Sequence, residues 1–209
     1  MKKIMDKLKN LIRYNKKIML FLTVVTIIGI ITGAFLVVIL KNSDKSLVTE
    51  YINSFTNNIK TNSFNYIDTL KNTILINILF IIGIWILGIS IIGLLIVIII
   101  IFWKAFTLGF TISSFILTYN LKGLILAIIY TFPHLIINLL IIMYLGSYSI
   151  NFSLLIIKSI VAKKKIELSK LMNRYLAVLL ITTSIIIITS IFESFITPIL
   201  LKKVATFLF

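Results

Sequence analysis

Two uncharged runs dominate what this chain can become. Ile18 to Leu40 is twenty-three residues without a charged side chain, and Gly123 to Ile157 is thirty-five residues without a Lys, Arg, Asp or Glu. A helix needs about 20 apolar residues to cross a hydrocarbon layer ~30 Å thick, so runs of this length point to membrane-spanning helices. They are continuous rather than alternating apolar and polar, which disfavours a transmembrane barrel. With 60% hydrophobic residues in a 209-residue chain, the reading is an all-α, polytopic helical membrane protein. Residues 18–209 form one membrane domain with five transmembrane helices, the first retained rather than cleaved as a leader.

Charge divides the chain into spans of about 18–40, 73–103, 105–121, 123–157 and 175–201. Lys104 and Lys122 are taken as the turns on either side of the third span. In the fourth, Pro133 is expected to bend one long helix, since a proline removes a backbone hydrogen bond. Basic residues concentrate in 1–17, at Lys104 and in 158–174, fourteen in all, against seven in 41–72, at Lys122 and after 201. Cytoplasmic loops are enriched in Lys and Arg. The N-terminus is therefore expected inside, the C-terminus outside, and 158–174 in the cytoplasm.

The same topology accounts for the net charge of +15. Nineteen Lys and two Arg sit beside apolar spans, where they meet anionic membrane lipid, and no nucleic-acid-binding motif accompanies them. In 1–17, Ile4, Leu8, Leu11 and Ile12 recur at helical spacing. The segment reads as a basic amphipathic helix on the inner membrane surface or as a frayed basic tail. Zero cysteines exclude disulfides, thiolate metal sites and cysteine nucleophiles, and no cofactor is implied.

The extracytoplasmic loop 41–72 is nearly charge-balanced. Leu47, Tyr51, Phe55 and Ile59 recur every four residues, the pattern of an amphipathic helix of about three turns. Such a helix either lies on the protein's own membrane domain or offers Tyr51, Phe55 and Ile59 to an external partner. Gly83, Gly88, Ser90 and Gly93 give small surfaces for close helix approach.

Polar residues inside apolar helices are the candidate functional groups. Glu193 needs a partner or a proton in an apolar layer, and Thr189, Ser190 and Thr197 share its helical face. His134, the only histidine, falls at a similar depth, ~5 Å away by helical rise, with Asn138 one turn on. Asn77 and Asn120 lie toward the same outer ends of their spans. The five residues Asn77, Asn120, His134, Asn138 and Glu193 are read as an intramembrane polar cluster. It would tie helices together, form an outward partner-binding or gating site, or act as a catalytic or ion-transporting pair. One His and one Glu, without intramembrane Asp or Cys, weigh against hydrolysis, and five unequal spans without a repeat weigh against a proton-coupled carrier.

Several phrases carry a family resemblance. They are Trp85 to Gly93, Phe102-Trp-Lys-Ala-Phe-Thr-Leu-Gly-Phe110, the span-four Pro133, and above all Phe192 to Leu201 with Glu193 and Pro198. In these, and in its five-span topology, the chain resembles the stage II sporulation protein M family from about Lys17 onward. Wider relatives often carry Pro-His-Gly with a Glu three residues later. Here Leu135 follows Pro133-His134 and Asn138 stands in place of the acid, which argues against chemistry carried by that acid. The resemblance implies a non-enzymatic scaffold that recruits two cell-wall remodelling enzymes, stage II sporulation proteins D and P, during forespore engulfment. The implied location is the bacterial cell membrane at the sporulation septum and engulfing membrane. Self-association into a homo-oligomer is compatible with this role, and the rival class is a small transporter or permease subunit.

Overall fold

The computed structural model describes residues 2–61, 65–132, 134–162 and 168–208, with side chains from Lys16 onward except at 162 and 168. The apolar runs become helices: α1 Lys2–Ile39, α2 Asn42–Lys60, α3 Tyr66–Ile89, α4 Gly93–Thr131, α5 His134–Ala162, α6 Leu168–Ile191 and α7 Thr197–Leu208. A single π-helical turn, Phe192–Ile196, joins α6 to α7. Five stretches are long and apolar enough to cross a membrane: Lys16–Ile39, Tyr66–Ile89, Gly93–Thr131, His134–Val161 and Ser169–Leu208. The basic segment 1–17 is not set off as its own helix, because α1 runs unbroken from Lys2 into the first span.

The bundle is built around α5, which packs against α1, α3, α4 and α6. Its most apolar window is 61% buried, against 33% or less for every other span. This position explains why the longest uncharged run contains so many small polar residues. Enclosed by protein, Ser149 donates to the Ile84 carbonyl at 2.8 Å, and Ser153 to that of Gly88 at 2.6 Å. Tyr175 of α6 donates to the Trp85 carbonyl at 2.8 Å. Its ring stacks on Phe152 with centroids 4.7 Å apart. The last turns of α3 are thus bound to both α5 and α6 by hydrogen bonds that lipid cannot supply.

Three span boundaries differ from those expected. The run 73–103 is broken at Ser90, whose backbone is extended at φ −97° and ψ 143°. A tight turn follows, and a Cβ on Gly93 would overlap the Leu87 carbonyl. Hydropathy is blind to this turn because Ile89, Ile91 and Ile92 flank it. Lys104 is no turn at all but lies inside α4, eleven residues beyond Gly93. The expected single span 123–157 is two elements: α4 ends at Thr131, Phe132 is extended at φ −103° and ψ 135°, and α5 starts at His134. Extended backbone is what a residue before proline prefers; Pro133 itself, on which the bend was placed, lies outside the described residues.

The 39-residue α4 is folded back on itself. Asn120 takes φ 54° and ψ −131°, alone in positive φ among the described non-glycine residues. These angles are those of the first central position of a type II′ turn, where Gly, Asn and Asp predominate. Beyond it the arm 121–131 doubles back along 93–119. Gly123 meets the Phe115 carbonyl, and the Phe115 and Tyr130 rings are 5.6 Å apart. In a straight helix fifteen residues would separate them by ~22 Å.

α1 and the long arm of α4 run side by side in the same direction, backbone against backbone. Gly29 faces Phe102 and Ala105, Gly33 faces Phe106, and Gly109 faces Ile30. At the Asn120 end, α2, the returning arm and α7 form a second layer on Ile52, Ile59, Phe115, Leu126 and Leu201. At the other end lie the Ser90 turn, Lys16 of α1 and the start of α6.

Candidate functional site: a polar cavity inside the bundle

The π turn sets the site. Thr197 donates its backbone N–H to the Phe192 carbonyl five residues back, and this widened turn re-aims Glu193 away from a regular helical position. π turns recur at functional sites. Glu193 points toward His134, with Oε1 4.0 Å from Nε2. That is ion-pair range but too long for a hydrogen bond. The His134 ring is fully buried. Its Nδ1 lies 3.3 Å from the Thr197 hydroxyl, and it stands edge-on to Tyr130. Its Nε2 makes no hydrogen bond.

Two carboxamides complete the inner wall. Asn77 of α3 donates to the Ser190 hydroxyl at 3.4 Å, and Asn138 of α5 accepts from the Thr189 hydroxyl. Thr189 and Ser190, the residues four and three before Glu193, therefore fasten α6 to both α5 and α3. Buried bonds of this kind contribute about 0.6 kcal/mol each in membrane proteins, up to ~1.7.

The opposite wall is α4. Lys104 places its ammonium 3.9 Å from the centre of the Phe80 ring, a cation–π contact. It interacts electrostatically with Glu193 across a cavity of about 210 Å³ that both residues line. Thr107 and Thr111, one and two turns beyond Lys104, extend that wall, and Tyr130 of the returning arm closes it.

Of the five expected cluster residues, the fold brings Asn77, Asn138 and Glu193 onto the cavity, with His134 directly behind the carboxylate. Asn120 is elsewhere: exposed, at the reversal of α4. Lys104 was missed, having been assigned to a turn. The signal was present, because Lys104 is the only charged residue between Lys71 and Lys122. Tyr130 was missed because nothing in the sequence shows that α4 reverses.

The amphipathic loop helix is α2, longer than three turns, and it lies on the protein's own helices. Ile59 is buried, and Phe55 packs edge-on against Phe115 and Tyr130 with centroids 6.3 and 5.5 Å away. Of the three proposed docking residues only Tyr51, 72% exposed, faces outward. A second, mostly apolar cavity of about 410 Å³ lies between α2 and α4, with the exposed Leu47 and Tyr51 among its lining residues, and shares Thr111 and Tyr130 with the first.

Compared with known protein families, residues 20–198 match the one described as Stage II sporulation protein M. No curated protein matches, and no solved structure matches.

Proposed function

The chain belongs to the stage II sporulation protein M family, and from that premise we propose that it is a non-enzymatic scaffold. In this reading it recruits the cell-wall remodelling enzymes stage II sporulation proteins D and P to the septal and engulfing membrane. Family membership and five membrane-crossing helices make it a sporulation-related, multi-pass membrane protein. The observation carrying the finer reading is the free face of α2. While Ile52, Thr56 and Ile59 are buried, Leu47, Glu50, Tyr51 and Ser54 form an exposed stripe along one side. An aromatic and a leucine with polar neighbours suit a modest protein interface.

The test is co-purification of tagged stage II sporulation proteins D and P with full-length protein carrying Leu47→Ala and Tyr51→Ala together. Loss of a hot-spot anchor costs ~2 kcal/mol or more. Partner recovery should therefore fall more than about tenfold while the protein accumulates normally. Undiminished recovery of both enzymes removes α2 as the docking face. A fluorescent fusion spread evenly around the sporulating cell removes the localisation.

A further inference from the structure

The cavity holding Lys104 and Glu193 opens sideways. Its rim includes Ile76 and Thr107, both exposed. The residues around that rim on the same helices, Leu75, Leu79, Ile99 and Trp103, are large, apolar and exposed. Such a face on membrane-crossing helices meets hydrocarbon, so whatever enters the cavity arrives through the bilayer. We propose that the cavity binds the headgroup of an aminophospholipid, a phosphate and an ammonium on one molecule, whose acyl chains stay in the bilayer beyond the exposed rim. This goes beyond the scaffold role and does not depend on it.

Charge selects the headgroup. The Lys104 amine and the Glu193 carboxyl face the same space, and among the described residues the ion-pair contact of Glu193 within 4.0 Å is to His134 rather than to Lys104. A ligand with a single charge would leave the other protein charge desolvated and unpaired, which is strongly unfavourable. A zwitterion matches both. The phosphate falls to Lys104, with the Thr107 and Thr111 hydroxyls beside it. Those hydroxyls now donate to their own helix, to the Lys104 and Thr107 carbonyls at 2.9 and 2.8 Å, and one bond rotation re-aims each. The ammonium falls to Glu193 and the Asn77 carboxamide.

His134 stands behind the carboxylate rather than on the cavity wall, and leaves Glu193 room to adjust. His134 Nε2 is buried without a hydrogen bond, and it points at the Glu193 carboxylate, 4.0 Å away. A buried polar atom left unpaired costs about 1–3 kcal/mol. A small inward shift of Glu193 around a bound ammonium closes that gap. The exposed apolar side chains around the rim, Leu75, Leu79, Ile99 and Trp103, supply the remaining half of an amphiphile site.

The experiment uses full-length protein in nanodiscs containing phosphatidylethanolamine and phosphatidylglycerol. Lipid retained after detergent stripping is counted by native mass spectrometry. Wild type should keep one phosphatidylethanolamine in preference to phosphatidylglycerol, and Lys104→Gln and Glu193→Gln should each lower its retention at least tenfold. Thr107→Trp blocks the exposed rim but keeps both charges. It should lower retention equally at an unchanged unfolding temperature, and so carries the test if a charge variant fails to fold. Leu180→Ala, at an exposed position of α6 outside the cavity, should match wild type. Equal retention in every variant means unspecific annular lipid and overturns the site. No retained lipid in wild type, or a preference for phosphatidylglycerol, overturns it as well. So does a photo-crosslinker at position 107 that captures a protein instead of a lipid in native membranes.

Discussion

Glycine separates close packing from open space within single residues of this bundle. A Cβ on Gly33 would press into the Phe106 carbonyl, whereas one on Gly83 would meet nothing within 4 Å. Gly29 and Gly33, four residues apart, form the small-xxx-small pair that lets membrane helices touch backbone to backbone. Gly33→Ala should destabilise the protein by about 1–3 kcal/mol, the usual cost of overpacking. Gly83→Ala should be neutral or slightly stabilising, since alanine is the better helix former. Unfolding in detergent mixtures measures both. Equal effects would mean that α1 and α4 do not meet as described. In the sequence the two glycines look alike, because their difference lies in which helix arrives opposite them.

The helical elements show where sequence reasoning carries and where it stops. Five crossings follow from hydrophobic length alone, since ~30 Å of hydrocarbon demands about 20 residues per pass. Their boundaries do not follow. Charge was taken as punctuation, yet Lys104 sits inside α4 while the true turn at Ser90–Ile92 is flanked by isoleucines. Most of the polar cluster was legible because Asn77, Asn138 and Glu193 stand out against apolar neighbours. Lys104 was equally visible but misassigned, and the reversal at Asn120 leaves no hydropathic trace. For α2, periodicity identified the helix but not which face is covered. Ile59→Ala should cost about 2–5 kcal/mol as a buried truncation, and Phe55→Ala should also destabilise by removing its ring contacts with Phe115 and Tyr130. Tyr51→Ala should stay within about 0.5 kcal/mol, as for most surface changes. Thermal unfolding of the purified variants decides it: a Tyr51→Ala loss as large as that of Ile59→Ala would place the wrong face of α2 against the bundle.

For the whole molecule, charge bias predicts which end of the bundle faces which compartment. Moving Lys104 into the bundle leaves thirteen basic residues at the Ser90 end, seven in 1–17 and six in 158–174. Seven remain at the other: four in 41–72, then Lys122, Lys202 and Lys203. The bias still directs the Ser90 end to the cytoplasm, and the scaffold reading needs α2 on the outer side. Because the chain has no cysteine, single-cysteine variants report cleanly. Asn120→Cys should react with an impermeant maleimide added outside intact cells, and Ser90→Cys only after the membrane is opened. Trp103→Cys discriminates between the two divisions of the chain. If a cytoplasmic turn lay at Lys104, position 103 would label fast, and position 90, then inside the span 73–103, would label slowly. In this fold Trp103 lies ten residues into α4, ~15 Å from the Ser90 end, with its side chain 57% exposed on a membrane-crossing helix. It should label at least tenfold more slowly from either side. Faster labelling at 103 than at 90 would restore the turn at Lys104 and take that lysine away from Glu193. Labelling of Ser90→Cys from outside would invert the bundle and put α2 in the cytoplasm, out of reach of cell-wall enzymes.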